Sequence, residues 1–193
     1  IITKKKSHYT YLEADGLCAT QMKQSLWVYT ADCIPLLIAD KKKGYVASAH
    51  AGWRGIAKGV INNTLAKLKE NGSSKKDLIV AIGPAISKFN YEVDMSTLIC
   101  IYEGIKASNK ILKTKEKIDY LLNLKIVEKK ANSDKFFLDI RLAAVEQLKT
   151  IGLGLHQISL NQNCTFNEEE HFHSWRRSNK KIYQWSGIST KQM

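Results

Sequence analysis

Apolar residues fall into short runs separated by polar punctuation, and the spacing inside each run sets the expected element. Leu26 to Tyr29, Ile34 to Ala39 and Tyr45 to Ala49 are strand-length runs, the last two joined by Asp-Lys-Lys-Lys-Gly. After Gly52, the residues Ile56, Val60, Leu65 and Leu68 give an approximate helical stripe that Asn-Gly-Ser-Ser-Lys-Lys-Asp brings to a stop. Leu78 to Ile86 reads as a buried strand running into a Gly-Pro turn. Asp94 is placed to cap a helix reaching Ala107, and the lysine-rich stretch from Ser108 to Asp134 gives no clear element. Phe137 to Gly152 holds the clearest amphipathic helix. Asp139 sits at its N-terminus, Leu142, Val145 and Leu148 mark its buried face, and Gly152 lies just past its end. Leu155 to Leu160 and Ile182 to Ile188 read as strands on either side of a polar loop. With no internal repeat and no linker, this mixture predicts one α/β (mixed α+β) sandwich spanning residues 1–193.

A chain of 193 residues, 44% of them hydrophobic, can bury one substantial core. No apolar run approaches the ~20 residues of a membrane span, and no signal-peptide pattern opens the sequence. The chain starts at Ile1, without a methionine and inside a strand-like pattern, which implies that an N-terminal piece is missing. The four cysteines, Cys18, Cys33, Cys100 and Cys164, show no CxxC spacing, so reduced thiols in a cytoplasm are expected. The net charge of +12 raises the question of nucleic acid. It comes mostly from lysines in short runs, with no RNP motif, zinc finger or basic helix, and reads as a solvated surface.

The arginines carry more information. Arg54 follows His-Ala-Gly-Trp, Arg176 and Arg177 follow Phe-His-Ser-Trp, and Arg141 lies in the amphipathic helix. In a lysine-rich chain, a planar guanidinium at these points suits bidentate binding of phosphate or carboxylate, ring stacking, or structural pairing.

Cys33 and His50 flank the two central strand runs. With the hairpin turn centred between Lys41 and Lys42, they face each other with Cβ atoms ~5 Å apart. A thiolate and an imidazole at that separation can share a metal ion, with Zn–S ~2.3 Å and Zn–N ~2.0 Å. They can equally form a nucleophile–base dyad, or be an unrelated core cysteine and loop histidine. A bulge at Gly44 would shift this register. Cys164 can be packed in the interior, and His171 and His173 alternate as on a strand, so that one of them at most faces a site.

The blocks Thr-Ala-Asp-Cys-Ile-Pro-Leu-Leu-Ile-Ala-Asp, Ser-Ala-His-Ala-Gly-Trp-Arg-Gly, Ala-Ile-Gly-Pro-Ala-Ile-Ser-Lys-Phe-Asn-Tyr-Glu-Val and Asn-Cys-Thr-Phe-Asn-Glu-Glu-Glu-His-Phe-His-Ser-Trp-Arg-Arg occur in this order. Together they resemble the signature of the laccase-domain family, the multicopper polyphenol oxidoreductase-like or YfiH-type proteins, now described as purine nucleoside phosphorylases. The resemblance implies a four-layer α-β-β-α sandwich with mixed sheets and a His-Cys-His zinc site. Cys33 and His50 match the second and third ligands. The first ligand belongs to a motif expected before Ile1, and His8 is not in its place.

The implied activity is phosphorolysis of adenosine, inosine, guanosine or methylthioadenosine to free base and ribose 1-phosphate, with adenosine deamination at C6 beside it. Purine nucleosides and phosphate are then the partners. Arg54, Arg176 and Arg177 become candidate phosphate or substrate contacts with Cys164 beside them, and Asp32 a group orienting His50 or carrying a proton. Copper is a plausible substitute for zinc. The alternatives are a metal-free cysteine hydrolase or deamidase using Cys33 and His50, and copper-dependent phenol oxidation. The five histidines are too few for a conventional multicopper oxidase.

Overall fold

The computed structural model describes residues 14–105 and 111–190. Its elements are β1 (Gly16–Ala19), β2 (Ser25–Thr30), β3 (Ile34–Asp40), β4 (Val46–Ala51), α1 (Trp53–Ala57), α2 (Val60–Glu70), β5 (Leu78–Ile82), β6 (Glu92–Val93), α3 (Met95–Ile105), α4 (Thr114–Asn123), β7 (Val127–Lys129), β8 (Phe136–Leu138), α5 (Ile140–Ile151), β9 (Ile158–Leu160), α6 (Trp175–Ser178) and β10 (Gln184–Ser189).

The central sheet has the order β1-β4-β3-β5-β9, antiparallel except for the parallel pair β5–β9. Side chains alternate across it. On one face Ile34, Leu36 and Ile38 of β3 meet Ala47, Ala49 and Ala51 of β4, all at most 1% exposed. Helix α2 packs on that face against β1 and β4, α1 adjoins β4, and α3 and α5 pack against these helices, their apolar residues joining the same core. Against the other face lies an antiparallel ribbon of β2 and β10, which packs on β3 and β4. The described residues therefore make a mixed α/β fold with a helical layer, a five-stranded sheet and a ribbon. The ribbon's outward side, with Trp27, Tyr29 and Trp185, is exposed among them. A small sheet β6-β8-β7 completes the fold. No helix among the described residues is long and apolar enough to cross a membrane.

Several expectations are corrected. The helical stripe after Gly52 is two helices, because Gly59 takes a left-handed backbone (φ 77°) that breaks the ladder between α1 and α2. The strand from Leu78 ends at Ile82, where Gly83 and Pro84 follow and Pro84 has no N–H to donate. In α5 the buried side is Ile140, Arg141, Ala143, Ala144, Gln147 and Leu148, while Leu142 and Val145 are only half-buried. A close approach of α1 and α3 explains part of this, since a Cβ on Gly104 would stand 2.5 Å from the Ile56 carbonyl oxygen. Gln147 fills the junction by donating from Nε2 to the carbonyls of Ile56 and Gly104. His171 lies in a turn and His173 in an irregular segment before α6, neither on a strand, and both are exposed.

Asp139 does cap α5, its carboxylate accepting from the N–H groups of Arg141 (3.1 Å) and Leu142 (3.0 Å). Asp139→Ala is expected to lower the unfolding free energy by about 1 kcal/mol, as read by urea denaturation, without changing the fold.

Candidate functional site

The site grows from one hairpin. Asp40 ends β3 and its carboxylate accepts from the N–H groups of Lys42 and Lys43, both at 2.9 Å. Its own N–H donates to the Tyr45 carbonyl, and Gly44, at φ 69°, donates back to the Asp40 carbonyl. The loop therefore holds the four residues Lys41 to Gly44, and the ladder runs Ala39↔Val46 to Pro35↔His50 and Ile34↔Ala51. The expected register, with Cys33 directly opposite His50, is corrected by two positions. The Gly44 turn is the reason, and Cys33 falls opposite Gly52 just beyond the paired residues.

A shift of two keeps every side chain on its face, whereas a shift of one would have reversed them. Cys33 and His50 thus become diagonal neighbours on the ribbon side of the sheet. Gly52 leaves the space between them free. A Cβ there would lie 2.8 Å from Cys33 Sγ and 3.8 Å from His50 Nε2, so both donor atoms border the same point. Gly52 has an ordinary extended backbone, so this is a demand for space and not for conformational freedom. Burial first, then the carboxylates of Asp32 and Asp15, push the Cys33 thiol up to about 11, against a smaller opposing effect of Arg54. A nearby cation reverses that logic, because it favours the thiolate.

These donors fit a borderline-soft ion such as zinc: a thiol and an imidazole converge on a gap that glycine keeps open. Among the described residues, no group of three His, Cys, Asp or Glu side chains is placed to hold a metal. His8 lies outside the described residues.

The carboxylate that faces His50 is Asp15, a residue the sequence reading missed. Asp32 is not the group that orients His50. Asp32 is buried, in a left-handed backbone (φ 90°), with its carboxylate occupied elsewhere. Oδ1 accepts from Thr165 Oγ1 at 2.7 Å, and Oδ2 accepts from Ser174 Oγ at 3.0 Å and the Arg176 N–H at 2.7 Å. It ties the turn that carries Cys33 to the start of α6.

The arginines divide into two kinds. Arg177, expected to touch substrate, instead donates to the carbonyls of Thr165, Phe166 and Phe172 and holds the loop before α6 together. Arg141 likewise serves the carbonyls of Asn161 and Asn163. Arg54 lies on the Trp53 ring at 4.4 Å with no hydrogen-bond or ion-pair partner among the described residues. Arg176 makes long contacts of 3.4 and 3.5 Å to the Glu92 carbonyl and lies over the Tyr91 ring at 5.2 Å.

Cys33, Arg54 and Arg176 line one cleft of about 270 Å³ together with Trp53, Tyr91 and Trp175, and His50 borders a second hollow beside β2. The Tyr91 hydroxyl is pushed above its ordinary range, by burial first and then by Cys33, so it remains a neutral donor at physiological pH. The sequence places Trp53 and Trp175 beside the arginines and Tyr91 within a motif block, but it does not show that the three rings share one cleft. Cys164 does not line the cleft. It is buried, donates to Ser87 Oγ at 3.0 Å and accepts from the Ser87 N–H at 3.3 Å. Burial raises its thiol, but hydrogen bonds from Ser87 and the surrounding backbone outweigh that and hold it below its ordinary value.

Residues 1–189 match the family model described as multi-copper polyphenol oxidoreductase laccase. The chain is 38% identical to a purine nucleoside phosphorylase of Synechocystis sp. over 181 residues, covering 93% of this chain and 69% of that protein. It is 31% identical to a purine nucleoside phosphorylase of Bacteroides thetaiotaomicron, covering 84% of this chain and 55% of that one. Among solved structures it resembles YlmD from Geobacillus stearothermophilus, with TM-score 0.79 and 26% identity over 93% of this chain and 62% of that chain. The chain thus spans between 55% and 69% of the length of these relatives.

Two substitutions test the geometry. Gly52→Ala is expected to drive Cys33 Sγ out of line and to cost about 1–3 kcal/mol by overpacking, measured by denaturant unfolding. Asp32→Ala leaves two hydroxyls and an N–H without their shared acceptor. It is expected to cost about 3 kcal/mol in denaturant unfolding and to speed amide exchange across residues 165–178 more than in the central sheet.

Proposed function

The chain belongs to the multi-copper polyphenol oxidoreductase laccase family, and from that membership we propose that it is a zinc-dependent purine nucleoside phosphorylase acting in a cytoplasm. The supporting observation is the cleft itself. A potential metal-binding thiol, two arginines with donors to spare and three aromatic rings line one small volume.

The rings of Trp53, Tyr91 and Trp175 offer apolar surface for a flat heterocycle. Arg54 and Arg176 offer guanidinium donors for the phosphate that attacks C1′. As the new C1′–O bond forms, the C1′–N9 bond breaks and its electron pair leaves with the purine, which takes up a proton. Positive charge that grows at C1′ is met by the phosphate, and the neutral Tyr91 hydroxyl is a donor available to a base that is gaining electrons. Cys33 and His50 would hold zinc, which supplies Lewis acidity for polarising a substrate oxygen or water and for the accompanying deamination of adenosine. All four cysteines are free thiols, the state a reducing compartment maintains.

The metal-free dyad is less well supported. A thiol at about 11 is almost wholly protonated at neutral pH, and burial together with two carboxylates opposes its ionisation by His50. Copper-dependent phenol oxidation asks for many more ligands than the two donors that meet across Gly52.

Phosphate-dependent release of free base from inosine and adenosine by the zinc-loaded chain is the test. Base together with ribose 1-phosphate is expected, and none with phosphate omitted. Turnover unaffected by phosphate, or no release of base at all, would overturn the reading. Arg54→Ala and Arg176→Ala are each expected to raise the KM for phosphate by about 10- to 100-fold, the loss of one charge-assisted contact.

A further inference from the structure

Asp15 immediately precedes β1, whose ladder to β4 runs from Ala19↔Val46 to Gly16↔Ala49. One step further along this ladder places Asp15 opposite His50. The hydrogen bond from the His50 N–H to the Asp15 carbonyl, 2.7 Å long, shows that the step is taken. Residues opposite each other in an antiparallel pair project to the same face. Asp15 Oδ1 accordingly lies 3.7 Å from His50 Nδ1. The other ring nitrogen, Nε2, is the one near the Gly52 gap and Cys33. His50 is therefore held with one nitrogen toward a carboxylate and the other toward the thiol.

We propose that Asp15 is a positioning residue for the metal centre. Its carboxylate keeps the His50 proton on Nδ1, so that the Nε2 lone pair is presented to a cation shared with Cys33. The inference rests on the reading that Cys33 and His50 bind one metal ion, and it extends that reading to the group behind the imidazole.

Stability does not account for the pair. The Asp15 side chain is 69% exposed and that of His50 38%, and an exposed ion pair contributes little to folding. Its consequence lies in the tautomer. A neutral imidazole carries a single proton, and the partner of one nitrogen decides whether the other is free to coordinate. Carboxylates behind metal-bound histidines act in this way, and their loss commonly weakens metal binding 10- to 100-fold. The 3.7 Å separation is longer than a hydrogen bond. Because the carboxylate is exposed, a side-chain rotation can close it without moving the strands.

The test uses two readouts on the whole chain. The first is the pattern of ring 15N shifts of His50 in the metal-free protein, with the imidazole neutral. The Nδ1–H tautomer is expected in the wild type and a shift toward Nε2–H in Asp15→Ala, with an unchanged melting temperature in both. The second is cobalt(II) titration followed by the thiolate-to-cobalt charge-transfer band, which reports a cysteine ligand and is assigned to Cys33 by its loss in Cys33→Ser. Asp15→Ala is expected to weaken cobalt binding 10- to 100-fold, and Asp15→Glu to recover part of the loss. A wild type that binds cobalt with the thiolate band, alongside an Asp15→Ala protein of equal affinity and unchanged tautomer, would overturn the role of Asp15 alone. A wild type with no thiolate band would overturn the shared-metal reading, and this inference with it.

Discussion

The pairing of β3 with β4 sets everything at the candidate site, because it fixes which residue stands opposite Cys33. A four-residue turn closed by Asp40 and Gly44 puts Gly52 there and His50 one diagonal away. Had the turn been one residue shorter or longer, Cys33 and His50 would have pointed to opposite faces of the sheet. The thiol and the imidazole can approach a common ion only because the position facing Cys33 carries no side chain. On the same ladder the buried face of the hairpin, Ile34, Leu36 and Ile38 against Ala47, Ala49 and Ala51, is fully engaged with the helical layer. The core therefore enforces the register on which the polar face depends, and the stability of the fold and the geometry of the site have a common origin.

The second constraint is the attachment of α6 to this hairpin. Asp32 accepts hydrogen bonds from Thr165, Ser174 and the Arg176 N–H, and so brings the far end of the chain up against the turn that bears Cys33. Arg177 stiffens the intervening loop by occupying three of its carbonyls. Arg176 is left at the cleft with Trp175 on one side and Tyr91 beneath it. Two adjacent arginines thus do different things because one faces the loop and the other the cleft. The same division separates Arg141, which is buried against backbone carbonyls, from Arg54, which keeps its donors.

Much of the fold was legible from periodicity. The runs at 26–29, 34–39 and 45–49 are strands, and the Asp139–Gly152 helix has the expected cap and end. The motifs in their order identified the family, whereas spacing alone set Cys33 directly opposite His50, where the ladder sets Gly52. What stayed hidden depends on three-dimensional placement. The true register rests on the positive φ of Gly44, which a sequence permits but does not require. The contacts of Arg177 go to backbone carbonyls, which leave no trace in side-chain patterns. Asp15 could have been suspected as an acid at the start of a strand, but its relation to His50 needs the β1–β4 register. The rings of Tyr91 and Trp175 come from distant parts of the chain and meet only in the folded cleft.

The central claim is that Cys33 and His50 share one ion across Gly52. X-ray absorption at the zinc edge of the metal-loaded chain tests it most directly. One sulfur at about 2.3 Å and at least one nitrogen at about 2.0–2.1 Å are expected in the first coordination sphere, with the sulfur lost in Cys33→Ser and a nitrogen lost in His50→Ala. A shell of oxygen and nitrogen without sulfur in the wild-type protein would contradict the account.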